Sequence, residues 1–363
     1  MKSVLRSRRA RWAVPAVAVA GVAAAIGGGA LLAGATSPTL PEKTAAELLT
    51  DMHNADTQPF SGTLVQTSRL GLPELPALQD DDHTTSLLSM LTGSNTARIW
   101  YVSPERVRFA LMGAFDETNV IRDGTDVWAW YSSTNTADHV TLPSGFSLPE
   151  AVATPKTPIT PAEAAEHLTE LADNTEISVD GTAEVAGRAA YELVVSPRDD
   201  RSLIEDVRIS IDADTSMPLR FEVNARDGDE PAFEVGFTSV TFSTPSDDVF
   251  RFNPPPGASV TERSLLDLVP TTDKRALLSS PPTVEGESWT SVLVVNDVDA
   301  PRTDDSGMLD ALLSAGTPVS GGYGTGTMFE TALVSALWLD DGTLLLGAVT
   351  PGVLEETAEG LDP

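Results

Sequence analysis

Four histidines, His53, His83, His139 and His167, are the first residues in this chain that could do chemistry. Imidazole is the side chain that most readily serves as acid, base or metal ligand near neutral pH. No two of them stand three or four residues apart, the spacing that puts a pair of ligands on one helix face. His83 follows Asp80-Asp81-Asp82, and a charge run of this kind reads as a solvated acidic loop. There is no cysteine, so a thiol nucleophile and a disulfide framework are both excluded. Neither a Gly-x-Ser-x-Gly elbow nor a Ser-x-x-Lys pair occurs. The run Gly321-Gly322-Tyr323-Gly324-Thr325-Gly326 resembles a phosphate loop only superficially. No Lys-Ser/Thr follows it, and Thr327 or Phe329 stands where a dinucleotide fingerprint needs its third glycine. It reads as a flexible turn before a strand. With 53 Asp and Glu, some carboxylate pair can be found anywhere, so no acid/base dyad is assigned. The expectation is a protein that is not an enzyme and uses no cofactor or metal.

The remaining candidates are apolar. Asp123-Gly124 marks a hairpin tip, and the strand after it reads Val127-Trp128-Ala129-Trp130-Tyr131. Alternation puts Trp128 and Trp130 on one face and Val127, Ala129 and Tyr131 on the other. Ala97–Val102 is also apolar on both faces, with Trp100 and Val102 opposite Ile99 and Tyr101. A third strand, Arg106–Met112, has one clean apolar face of Val107, Phe109 and Leu111. An antiparallel strand usually shows one face to water. Doubly apolar strands are therefore either central strands with ordinary core on both sides, or one wall of an uncharged cavity. Such a cavity suits acyl chains, at about 0.8 kcal/mol per buried methylene.

These strands need a scaffold. Thr44-Ala45-Ala46-Glu47 has the form of a capping box and opens a helix with Leu48, Leu49 and Met52 on one side. The strand Phe60–Ser68 follows, and Leu70–Thr96 reads as a long loop. A second helix is expected from Thr160-Pro161-Ala162-Glu163. A meander then runs from Thr175 to Phe252, with turns at Asp180-Gly181, Asp212–Thr215 and Asp227-Gly228. Its strands alternate apolar and polar residues. Phe250-Arg-Phe-Asn-Pro-Pro-Pro-Gly257 closes it, because a proline run cannot continue a central strand. Beyond a linker, 261–284, carrying one short helix at Ser264–Val269, a small unit over 285–363 is expected to hold strand Ser291–Val295 and helix Gly307–Ser314. Strands Thr331–Leu339 and Thr343–Val349 and a last helix from Thr350-Pro351 complete it.

The address is legible too. Lys2, Arg6, Arg8, Arg9 and Arg11 precede the apolar run Val14–Ile26, and Ala33-Gly34-Ala35 has the small-x-small form of a cleavage site. Residues 1–35 thus read as an export signal, or as an uncleaved anchor, since Trp12–Ala35 is long enough to span a bilayer. The expected location is the periplasm or another extracytoplasmic part of the envelope. The net charge of −30, from 23 Lys and Arg against 53 Asp and Glu, repels nucleic acid, and no nucleic-acid partner is expected.

In order, these segments resemble the LolA/RseB superfamily of lipoprotein carriers and sigma-E regulators (RseB/MucB). The likeness rests on Phe60-Ser61-Gly62, on Ala97–Phe109 around Pro104, on Asn119–Tyr131 and on Phe250–Gly257, and it covers about 40–260. The resemblance implies an α+β fold: a curved, antiparallel, incomplete β-barrel over 40–260, covered by helices. The 285–363 unit would be a small α+β C-terminal domain of the kind that RseB-like regulators carry. It further implies that Trp100, Val107, Phe109, Leu111, Trp128 and Trp130 line a hydrophobic cavity for the acyl chains of a lipid or lipoprotein. The partner of the C-terminal domain would be an anti-sigma factor or another envelope protein. The carriers have an arginine before the strand-connecting proline. Ser103 stands there in this chain, so their mechanism of opening is not implied. The alternative is a protein-binding envelope regulator or scaffold with a filled core and no ligand.

Overall fold

The computed structural model describes residues 39–71, 93–113, 115–143, 173–264, 282–296 and 316–361. Helix α1 (Ala45–Asn54) opens with the expected capping box. The Glu47 amide donates to the Thr44 hydroxyl at 3.2 Å, and the Thr44 amide donates to the Glu47 carboxylate at 2.8 Å. Two of the amides that a helix start leaves unpaired are thereby satisfied.

Twelve strands form one large sheet: β1 (Phe60–Ser68), β2 (Gly93–Ser103), β3 (Arg106–Met112), β4 (Glu117–Asp123), β5 (Asp126–Tyr131), β6 (Thr136–Thr141), β7 (Thr175–Val185), β8 (Arg188–Pro197), β9 (Ile204–Asp212), β10 (Pro218–Ala225), β11 (Phe233–Thr241) and β12 (Ser259–Arg263). Their order is β12-β6-β5-β4-β3-β2-β1-β11-β10-β9-β8-β7. Two meanders are thus sewn together where β1 pairs with β11. The sheet is curved. β7 touches β11 although three strands separate them in the ladder, and Val185 and Ala190 of the β7–β8 hairpin pack into one core with Phe60, Leu64, Ala97, Leu219, Val235 and Phe237. Helix α1 covers the same side further along, with Leu48 buried against Tyr191, Leu193 and Ile211. Each such fully buried side chain contributes about 1.5–3 kcal/mol.

Two expectations are corrected here. Asp180-Gly181 is not a turn between strands. It is a bulge inside β7, where the register shifts between Val179 and Thr182. The real turn is Ala186-Gly187, whose positive φ values of 53° and 73° match the twist of a tight hairpin. Nor is the sheet wholly antiparallel. After the proline run, β12 returns to lie parallel to β6, so pairing extends to Arg263, into the stretch read as a linker. Gly257, at φ 82°, makes that return, and its carbonyl accepts from Asn135 Nδ2 at 2.9 Å.

A second sheet holds β13 (Thr283–Glu285), β14 (Val292–Val295), β15 (Thr317–Gly321), β16 (Gly324–Glu330), β17 (Ser335–Leu339) and β18 (Leu344–Gly347), in the order β13-β14-β18-β17-β16-β15. The glycine run 321–326 forms the β15–β16 hairpin, and β17 and β18 pair as expected but are shorter. Helix α2 (Pro351–Gly360), with Thr350 as N-cap and proline in its first turn, lays Val353, Leu354 and Ala358 on Leu337, Leu345 and Val349. The two sheets meet where Ser202 bridges Val349 and Trp289 Nε1 donates to Thr175 Oγ1 at 2.8 Å. The helices expected from Thr160 and at Gly307–Ser314 lie outside the described residues, as does nearly all of the one at Ser264–Val269.

Candidate functional site

Residues directly opposite each other in a ladder share a face. From Phe60 the register runs Phe60–Tyr101–Val107 and, one step along, Ile99–Phe109–Val120–Ala129. Ala97–Leu111–Thr118–Tyr131 forms the next row. This is the inner face, whose continuation over β7–β9 carries α1. Phe60 stacks on Tyr101 with ring centroids 5.5 Å apart and meets Phe237 edge-on at 5.9 Å. Burial, and then the nearby Glu105, pushes the Tyr101 hydroxyl above its ordinary pKa, so it stays neutral. Val107, Phe109 and Leu111 are half-buried here, and Val120 beside Phe109 is 43% exposed.

The opposite face carries the tryptophans. Trp100 pairs with Arg108, Arg108 with Ile121, and Ile121 with Trp128; Trp130 pairs with Asn119. The six residues expected to line one cavity therefore do not form one surface: Val107, Phe109 and Leu111 lie inside, and Trp100, Trp128 and Trp130 outside. What meets the outer face is the chain itself. Phe252 packs against Trp128 and Trp130, with centroids 5.2 and 5.8 Å away, and Phe250 is buried beneath Arg106, whose guanidinium sits 5.0 Å over its ring. Arg108 lies 5.3 Å over Trp100 and donates to the Val249 carbonyl at 3.1 Å. Arg106 also pairs with Asp247 at 3.0 Å. The Phe-x-Phe closing segment is thus the cover of the tryptophan face. A regular hairpin closing at Ser103 and Arg106 would put Trp100 opposite Phe109. The register shift between Tyr101 and Ser103 puts it opposite Arg108 instead, and no residue type in the turn announces that shift.

The polar rim of this outer face was missed. His139, 14% exposed, stacks on Trp128 and lies 3.0 Å from Asp126 and 2.8 Å from Glu262 of β12. On the opposite, inner face Arg263 pairs with Asp138, which stands across from Ala129, at 2.8 Å. These contacts tie the returning strand down. They are not spaced as a metal site, and among the described residues no group of three or more His, Asp and Glu could hold a metal ion. No described helix is long and apolar enough to cross a membrane, and the leader lies outside the described residues.

The architecture is a long curved sheet with a helix on its apolar inner face, and the sequence comparison supplies the family. The MucB/RseB N-terminal domain matches residues 44–250, and the chain belongs to that family, within the LolA/RseB-like superfamily. Among solved structures, the MucA/MucB complex of Pseudomonas aeruginosa is similar at 18% identity, over 86% of this chain and 96% of that one, with a TM-score of 0.43. A LolA-superfamily protein from Nitrosomonas europaea is similar at 9% identity over 58% and 99% (TM-score 0.22), and LprF from Mycobacterium bovis at 11% over 59% and 97% (TM-score 0.27). No curated protein matches the chain.

Proposed function

We propose that this is an exported envelope protein that binds the acyl chains of a lipid or lipoprotein against the inner face of its curved sheet, as a sensor or carrier without catalysis. The observation that carries the reading is the uninterrupted apolar patch of Ile99, Val107, Phe109, Leu111 and Val120, half-buried to exposed on the inner face. Each methylene that leaves water there contributes about 0.8 kcal/mol, so a long chain has ample driving force. Trp100, Trp128 and Trp130 act behind the wall by holding its strands, not by touching the ligand.

The test is native mass spectrometry of the protein purified from its own envelope fraction. The reading expects a bound lipid mass, lost in Phe109→Glu with the fold intact and kept in Trp100→Phe. A wild-type protein free of lipid that also fails to take up a fluorescent fatty acid overturns it.

A second reading, a regulator that binds a protein such as an anti-sigma factor, is favoured by the side of the smaller sheet away from α2. There Val284, Leu293 and Leu346 share a face, with Val284 63% and Leu346 37% exposed. The two readings are compatible.

A further inference from the structure

The inner face changes character along its strands. On β1 it presents Phe60, Gly62, Leu64, Gln66 and Ser68, and on β2 it presents Tyr101, Ile99, Ala97 and Asn95. One end is aromatic; the other is polar. At the polar end Gln66 lies between Asn95 on β2 and Val235 on β11, beside Leu64 and Phe237. It is 1% exposed. Asn95 Nδ2 donates to its Oε1 at 3.4 Å, while its Nε2, a two-proton donor, has no hydrogen-bond partner among the described residues. A buried donor left unmet is costly and uncommon in folded proteins, so its retention beside Leu64, Val235 and Phe237 calls for an acceptor.

We propose that Gln66 Nε2 is the polar anchor of the site, donating to the ester or amide carbonyl of an acylated ligand. Asn95 holds the Gln66 amide by its oxygen and leaves the nitrogen for the ligand. Gln66 and Ala97 are covered by the packed core, so the ligand displaces part of that packing on entry, and its hydrocarbon then runs from Gln66 past Ala97 and Leu111 towards Ile99, Phe109 and Tyr101. From the Gln66 row to the Phe60–Tyr101 row is on the order of 20 Å of strand, the reach of a long fatty acyl group. The inference rests on the reading that an acyl chain occupies this face, and it adds a selectivity: for carbonyl-linked chains over simple hydrocarbon or ether-linked ones.

The experiment measures displacement of a fluorescent fatty acid from the purified chain by monopalmitoyl glycerol and by hexadecyl glycerol, which differ in the ester carbonyl. The wild-type protein is expected to prefer the ester about fivefold, the effect of one neutral hydrogen bond. Gln66→Leu and Gln66→Met, both close in volume, are expected to bind the two equally, with affinity for the ether unchanged. Equal, tight binding of both probes by the wild-type protein overturns the anchor and leaves the acyl site standing, as when a water satisfies Nε2. An ester preference that survives in either variant also overturns it. Binding of neither probe by the wild-type protein removes the acyl site and the anchor together.

Discussion

Trp128 lies almost flat on His139, with ring centroids 4.0 Å apart and the planes 16° from parallel. The same imidazole sits between Asp126 on β5 and Glu262 on β12, so one stacked pair joins the β5–β6 hairpin to β12. The stack is therefore also a clasp, placed where the chain leaves the sheet after Arg263.

Trp128→Ala removes one layer of that clasp and part of the cover over Phe252. The expected loss is about 2–3 kcal/mol of unfolding free energy, read from urea melts. Glu262→Ala is expected to leave global stability nearly unchanged while amide exchange at 259–263 accelerates. Unaltered exchange there would show that β12 is held by its ladder alone.

Asp212 tests a buried charge. It is 1% exposed and accepts from Arg188 Nε at 2.6 Å and Nη2 at 2.8 Å, and from the Thr215 amide at 2.9 Å and hydroxyl at 2.7 Å. Burial pushes its carboxyl up, but the Arg188 and Thr215 bonds together outweigh burial and hold it below the ordinary value. A depressed carboxylate contributes stability above its unfolded pKa of about 3.9, and that contribution is lost as pH falls through the lower native value. Asp212→Asn should cost about 2 kcal/mol at pH 7, because it removes the charge that two Arg188 bonds meet and leaves Arg188 only the exposed Asp214 at 3.1 Å. The gap from wild type should shrink in strong acid. A gap that is the same at neutral pH and in strong acid would contradict the account.

Glu222 behaves in the opposite sense. It lies directly across from Glu234, 14% exposed, with Arg220 3.1 Å away. Burial, reinforced by Glu234 and Glu192 and opposed by Arg220 and Arg208, raises its pKa. Stability from this group is therefore full below the ordinary glutamate value and lost as pH rises through the native one. Glu222→Gln is expected to be more stable than wild type at pH 7, on the order of 0.5 kcal/mol, and indistinguishable from it near pH 4. Urea midpoints at the two pH values decide it.

Gly62 tests the seam between the meanders. A Cβ built there would lie 2.7 Å from the Phe237 ring and 2.7 Å from the Ser239 carbonyl oxygen. The β1–β11 register slips at the neighbouring Thr63/Leu64 step. Gly62→Ala should cost about 2 kcal/mol by overpacking, seen as a lower thermal midpoint. An unshifted midpoint would mean that Phe237 can move aside freely.

Much of the fold was legible because its signals are local. The Thr44–Glu47 box and Thr350-Pro351 act within one helical turn. Phe60–Ser68 and Arg106–Met112 alternate cleanly, and the structure gives them those bounds. The strands β6, β12, β13, β15 and β16 were not legible: β12, β13 and β15 are short and largely exposed, β6 buries only Ala137 and Val140 among polar residues, and the glycines of β16 read as a turn.

The six candidate residues show the same division. By itself the sequence determined that Trp100, Trp128, Trp130, Val107, Phe109 and Leu111 sit on three strands, and within each strand which residues share a face, because side chains alternate with a period of two. Only the tertiary structure decided which faces join across the hairpins and what lies against each one. Cross-strand register, the curl of the sheet around α1, and the return of Phe250 and Phe252 from far along the chain put the tryptophans behind the wall and Phe109 on it. These are long-range pairings, and no local pattern of residue types encodes them.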